Sequence, residues 1–204
     1  MPGKTKRTKA AQTRATTRKL LTIAKKEFSR KGYAGASMEC IVKAAGMTRG
    51  ALYHHFDGKQ GLFYAVFCEA QKEIGRRIEK KTATASDLWD QLVAGCHGFL
   101  EASSDPELQR IVVIDAPAVL KWETVRFADA NVEGSGFSLL KECLIELQAE
   151  HAIKPLPVDA LAHQLNGAMD EAAVWIARSS DTRTALKEAK AVLDELLNAL
   201  KRGD

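Results

Sequence analysis

Apolar residues recur along this chain at steps of three and four, the spacing of one helix face, and nowhere alternate long enough to mark a half-buried strand. The pattern predicts an all-α protein of about nine helices. A first helix spans Thr13 to Lys31, with Leu20, Ile23, Ala24 and Phe28 on one face and Gly32 at its end. A second begins after Ser37, whose hydroxyl suits the unpaired N–H groups of a first turn, and carries Ile41, Ala44 and Ala45 inward. It stops at Gly46, where a left-handed cap favours glycine. Thr48 can cap a third helix that closes at Asp57-Gly58, with Leu52 and Phe56 turned inward beside Met47.

Two short helices joined so tightly must cross steeply, which is the pattern of a helix-turn-helix. The outward face of the third helix presents Thr48, Arg49, Gly50, Tyr53 and His54, residue types that reach base edges and phosphates. Arg49 is the first choice for a guanine edge, and Thr48 for a base edge or a thymine methyl. Gly50 and Ala51 keep that face flat for close approach. His54 and His55 are not a metal pair, because adjacent helical positions point about 100° apart.

A long helix from Lys59 to about Lys81 follows, burying Leu62, Phe63, Val66, Phe67, Ala70, Ile74 and Ile78. Ser86 caps the next, to about Ala102, and Asp105-Pro106 opens another. The run V-V-I-D-A-P, residues 112–117, looks strand-like by propensity, but its helical context decides for a helix end. Pro117 starts a helix through Trp122 and Phe127, broken at residues 131–136 and resumed from Phe137 to His151. Pro155 and Pro157 mark a linker, after which two helices fill residues 158–179 and 182–202.

That last pair has a broad apolar surface: Leu161, Leu165, Ala168, Ala172 and Ile176 on one helix, Leu186, Ala189, Leu193, Leu196 and Leu200 on the other, widened by Val192 and Leu197. Pairing with the same two helices of a second copy would complete a four-helix bundle. The plainer reading is that they cover only the chain's own core.

Charge sharpens the division. Residues 1–60 carry 14 Lys and Arg against three acids, a balance of +11, whereas the remainder carries 16 against 23, a balance of −7. A basic head on an acidic body suits a polyanion partner. Residues 1–12, with Lys4, Lys6, Arg7 and Lys9, read as a disordered arm that follows the phosphate backbone, reaches into a minor groove or is simply solvated. No apolar run approaches the ~20 residues of a membrane helix, so the expected compartment is the cytoplasm. Cys40, Cys68, Cys96 and Cys143 form no C-x-x-C pair and read as small core residues, with Cys96 the best placed for a redox role. No catalytic triad, phosphate loop or metal motif is present, so neither an enzyme nor a cofactor is expected.

The string A-G-M-T-R-G-A-L-Y-H-H-F-D-G-K-Q-G-L-F closely resembles the DNA-binding region of the TetR family of bacterial transcriptional regulators, at Ala45-Gly46, Gly50, Leu52-Tyr53, His55-Phe56, Lys59 and Leu62. The resemblance covers about residues 13 to 70. It implies a head of residues 13–60 and an effector-binding and dimerisation body of residues 61–204. In the head, Tyr53, His54 and Lys59 resemble the family's phosphate clamp, Ser37 and Met38 line the groove edge, and His55 packs. It further implies a homodimer on an inverted-repeat operator, held together by the terminal helices, with repression as the expected mode. The long helix would transmit the state of a small apolar effector. Phe67, Trp89, Cys96, Phe99, Trp122, Phe127 and Met169 are the expected pocket, with His97, Asp115 and Asn166 as its polar candidates. An alternative keeps the DNA-binding head and gives the body only dimerisation or a protein partner.

Overall fold

The computed structural model describes residues 9–202, and their side chains from Ala15 onward. The chain forms two compact units, Met1–Val66 and Phe67–Asp204.

The first unit holds α1 (Lys9–Gly35), α2 (Met38–Ala45), α3 (Arg49–Phe56) and the opening turns of α4 (Gly58–Thr82). Helix α1 starts at Lys9, four residues before the expected Thr13. The first eight residues of the expected arm, with Lys4, Lys6 and Arg7, lie outside the described residues. Leu20, Ala24 and Phe28 of α1 meet Ile41 and Ala45 of α2, Leu52 of α3 and Leu62 and Phe63 of α4 in one core. Complete burial of each large apolar side chain there contributes about 1.5–3 kcal/mol. Ala44, expected inside, is exposed, because an eight-residue helix buries only the narrow face of Ile41 and Ala45. The ring of Phe63 packs edge-on against Phe28 and Tyr33, each with centroids 5.1 Å apart. That packing explains why the boundary falls after Val66 rather than at residue 60.

The caps follow the local chemistry. Ser37 Oγ accepts from the Cys40 N–H at 3.3 Å, and Thr48 Oγ1 from the Ala51 N–H at 3.2 Å. Gly46 between them takes φ 71°, ψ 32°, a left-handed conformation that glycine adopts without a Cβ clash. Asp57, also left-handed at φ 52°, ends α3.

The second unit continues α4 and adds α5 (Leu88–Ser103), α6 (Pro106–Leu108), a π-helical segment (Gln109–Asp115), α7 (Ala116–Val119), α8 (Trp122–Asn131), α9 (Gly136–Ala149), α10 (Val158–Arg178) and α11 (Thr182–Asn198). The stretch from α6 to α7 runs unbroken, so the described residues form ten helices against the nine expected. The V-V-I-D stretch is thus helical, with the wider π turn just before Pro117, which has no N–H to donate. Leu120 turns extended at ψ 142°, so the single helix expected from Pro117 through Phe127 is two. Asp87, not Ser86, caps α5: its carboxylate accepts from the Asp90 N–H at 2.8 Å. Helix α11 stops at Asn198, and the Lys154 N–H donates to the Leu200 carbonyl at 2.9 Å, tying the tail to the segment before α10.

All of Phe67, Ala70, Ile74 and Ile78 are buried along α4, as their spacing predicts. Gly75 lies on the same helix where a Cβ would stand 1.7 Å from the Gly134 carbonyl oxygen in the turn before α9. Only a bare backbone lets the two segments pass.

Candidate functional site

On α3, Arg49, Gly50, Tyr53, His54 and His55 are exposed, with Thr48 exposed at the cap. The Arg49 guanidinium lies 5.6 Å from the Tyr53 ring centroid, and the Tyr53 phenol pushes its pKa further up. The aromatic ring thereby steers a permanently charged fork outward. A Cβ added to Gly50 would meet nothing within 4 Å. The fold itself therefore makes no demand for glycine there, and the bare position serves whatever approaches from outside.

Ser37 and Met38, at the start of α2, are half-buried. The Ser37 N–H donates to Glu27 Oε1 at 3.3 Å, and the same carboxylate holds Lys31 at 2.7 Å. Lys31 first, then the Ser37 N–H, hold the Glu27 pKa below the usual carboxylate value despite burial. This staple between α1 and the cap of α2 is absent from the expectations, since nothing in the spacing of Glu27 distinguishes it from a surface acid. Lys59 is less free than expected: its Nζ donates to the Ala34 carbonyl at 3.2 Å and lies 4.9 Å from the Tyr33 ring centroid. His55, expected to pack, is exposed instead, one position short of the half-buried Phe56.

In the second unit the expected pocket residues divide. Phe67, Phe99 and Trp122 line a cavity of about 220 Å³ among α4, α5, the π segment, α8 and α10. Cys96 and Met169, with Phe99 again, line a separate space of about 170 Å³ against α9. Trp89 lines neither and instead carries the Lys201 ammonium 4.4 Å from its ring centroid. Phe127 is 62% exposed, because α8 turns Val125, Ala128 and Asp129 inward.

Of the polar candidates, His97 pairs with Asp194 of α11 at 2.7 Å, and Asp115 with Arg110 at 3.2 Å. Asn166 alone joins the larger cavity's polar network, donating to Asp170 Oδ2 at 3.0 Å. That network was not foreseen. Gln71 of α4 donates to Asp129 of α8, and Arg126 bridges Asp129 at 3.1 Å and Asp170 of α10 at 2.5 Å. Burial first, then the neighbouring Asp170 charge, pushes Asp129 up to about 7, against the opposing pull of Arg126 and Gln71. Burial raises Asp170 as well, although Arg126 opposes it. A polar Gln71 one step from the Phe67-Ala70-Ile74 stripe is the one trace of this cluster in the sequence.

Cys96 is buried and its thiol pushed up to about 12 by that burial, which removes it as a redox sensor. Among the described residues no group of three or more His, Cys, Asp or Glu is arranged to hold a metal, and no helix is long and apolar enough to cross a membrane.

On α10 and α11 the expected seam splits by depth. Leu165, Ile176, Ala189 and Leu193 are buried within the unit, and Leu161, Ala172 and Leu186 are half-buried. Ala168 and Leu196 are exposed. Leu200 lies beyond the end of α11, in the strap to Lys154. The outward apolar face is completed by Trp175 at 47% exposure and Val192 at 61%.

Residues 20–66 match the family model described as bacterial regulatory proteins, tetR family, and residues 89–200 that described as tetracyclin repressor-like, C-terminal domain. A TetR-family transcriptional regulator from Pectobacterium atrosepticum is 34% identical in sequence, with a TM-score of 0.80 over 97% of this chain and 99% of that one. The HTH-type transcriptional regulator AcrR of Shigella flexneri is 37% identical over 95 residues, 46% of this chain and 44% of AcrR. The HTH-type transcriptional repressor AcnR of Corynebacterium efficiens is 36% identical over 88 residues, 43% of this chain and 40% of AcnR. The chain thus matches less than half the length of these two relatives.

Proposed function

The chain belongs to the TetR family of bacterial regulatory proteins, helix-turn-helix transcriptional regulators rather than enzymes, and on that premise we propose a repressor that binds an inverted-repeat operator as a homodimer and is released by a small effector. The observation that carries the DNA reading is the exposed Thr48-Arg49-Gly50-Tyr53 face, where Gly50 has no internal reason to lack a side chain. Arg49 reads a guanine edge, Thr48 a base edge or methyl, and Tyr53 and His54 contact phosphates. Lys59 adds positive charge while pinning the α1–α2 link, and Ser37 and Met38 stand at the groove edge.

The outward face of α10 and α11 supports the dimer. Ala168, Ala172, Trp175, Val192 and Leu196 give a contiguous apolar strip across two antiparallel helices, and a two-fold axis would set two such strips against each other. The cavity against α8 supports the effector, because α4, the helix that begins beside α3, contributes Phe67 and Gln71 to its wall. A ligand that repositions Gln71 acts directly on that helix.

Selection of duplexes from a random pool by the purified chain tests the reading. An inverted repeat bound by two chains, with half-sites about one helical turn apart or slightly more, is the expected result. Recovery of a single half-site bound by one chain would remove the dimeric operator. A body that takes up no small molecule while DNA binding persists would favour the alternative, in which the second unit serves only dimerisation or a protein partner.

A further inference from the structure

The cavity against α8 is polar at one end and apolar elsewhere, and the balance of its charges is uneven. Two carboxylates, Asp129 and Asp170, share a single guanidinium, Arg126, and Glu171 stands exposed at the rim. The opposite wall is aromatic and aliphatic, with Phe67, Phe99, Val113 and Trp122. Two buried polar atoms in this lining have no hydrogen-bond partner: Ser103 Oγ, on a residue only 1% exposed, and Arg126 Nε. An unsatisfied buried hydroxyl costs free energy unless something completes it. The Ser103 hydroxyl is therefore a second sign of a ligand, independent of the acids.

Resting on the reading of this cavity as the effector site, we propose that its ligand is a small organic monocation, an ammonium on an apolar body, whose charge is taken by the Asp129–Asp170 pair and one of whose N–H groups donates to Ser103 Oγ. Charge counting selects this class. An anion would enter a partly desolvated site in which two carboxylates already outnumber one guanidinium. A neutral molecule would leave Asp129 and Asp170 to share the one charge of Arg126, so that Asp129 keeps its proton. A bound metal is disfavoured because no three ligating side chains converge among the described residues. At about 220 Å³ the space is below the ~300–1,000 Å³ common for drug-sized ligands, so the body is about one ring in size. Asp129, held protonated up to about 7, supports the same conclusion, because an entering ammonium supplies the positive charge that the carboxylate otherwise obtains from a proton. The ring faces Trp122 and Phe99, and the Arg126 guanidinium already stacks 4.2 Å from the Trp122 ring centroid at the cavity's edge.

The test uses three probes of similar size and different charge on the purified full chain: benzylammonium, benzyl alcohol and phenylacetate, each titrated calorimetrically at pH 7.5. Benzylammonium is expected to bind at least tenfold tighter than either of the others. Asp129→Asn, which keeps the shape and a partner for Gln71 but cannot ionise, is expected to abolish that preference. Ser103→Ala, which removes only the unpartnered hydroxyl, serves as a second variant and is expected to weaken benzylammonium severalfold. Equal binding of all three probes, tighter binding of phenylacetate, or no binding of benzylammonium would overturn the proposal. Operator release is measured separately with the same probes. Release by phenylacetate without release by benzylammonium would overturn the cation and leave the regulator standing. Tight benzylammonium binding without release would keep the cation and remove its regulatory role.

Discussion

The Ser37 N–H, two residues beyond the end of α1, is held by the carboxylate of Glu27 at 3.3 Å, so the cap of α2 is fixed from α1. Glu27 is one of three acids in the basic head, and the other two are also engaged in the fold. Asp57 ends α3, and Glu39 sits in the first turn of α2, where negative charge is favourable. Glu39 also acts on the α3 face, where its charge adds to the upward push that the Tyr53 phenol gives the Arg49 pKa. Glu27→Ala is expected to cost the head about 1–2 kcal/mol, measured by chemical unfolding. The lowered pKa of Glu27 sets the sign of its pH effect. Its contribution is complete above the unfolded carboxylate value and is lost as pH falls through the lower folded one, so wild type and Glu27→Ala should converge in stability in acid.

Arg49 and Gly50 are adjacent and should fail differently. Arg49→Ala is expected to cost about 1–3 kcal/mol of operator binding and to relax preference at one base position. Gly50→Ala is expected to leave the fold unchanged or to stabilise it by up to about 1 kcal/mol, since the new methyl meets nothing and alanine is the better helix former, while weakening specific and random duplexes together. Fluorescence anisotropy at two salt concentrations, paired with thermal melts, separates the two outcomes. A Gly50→Ala variant that melts lower would mean that the glycine serves the fold.

The local chemistry of the head was legible because it is written in adjacent residues. Ser37, Gly46 and Thr48 each act on a backbone group within four positions, and the helices they bound follow directly. The body's site was not legible for the opposite reason. Gln71, Asp129 and Asp170 are 58 and 41 residues apart along the chain, and only the packing of α4, α8 and α10 makes one network of them. Aromatic content pointed to Trp89 and Phe127, but which side of a helix an aromatic occupies depends on neighbours that periodicity does not identify. The same limit explains the seam, where Leu165 and Leu193 face inward while Trp175 and Val192 face out.

That distinction yields a prediction for assembly. Val192→Glu with Leu196→Glu places two charges on the outward strip and is expected to give a monomer in sedimentation, with operator binding reduced at least tenfold. Leu193→Ala, buried one position along, is expected instead to lower unfolding stability by about 2–4 kcal/mol. A double glutamate variant that still sediments as a dimer would place the interface elsewhere.

Asp129 makes the body sensitive to pH near neutrality. Its folded pKa, about 7, stands above the unfolded value near 3.8, so between the two the native state holds the extra proton. Stability from this group is complete below the unfolded value and is lost as pH rises through about 7, as the carboxylate ionises beside Asp170 with only Arg126 and Gln71 to oppose the cost. Melting temperatures from pH 5 to 8 should fall more steeply for the wild type than for Asp129→Asn. Parallel slopes would show that Asp129 does not titrate there.

Three of the four thiols should separate by their reactivity. Cys40 is exposed, whereas Cys96 and Cys143 are pushed up to about 12 and about 11 by burial. A maleimide at pH 7.5 is therefore expected to modify Cys40 first and to reach Cys96 and Cys143 only after denaturation, as read by mass spectrometry of digested protein.

The guanidinium of Arg126 over the ring of Trp122 has an optical consequence. That indole is one of three, and the others lie apart: Trp89 under Lys201 near the carboxyl end, Trp175 on the outer strip of α10. Each fluorophore thus reports on a different event, and single-tryptophan variants would let ligand entry, self-association and fraying of the tail be followed by emission alone, without an added dye.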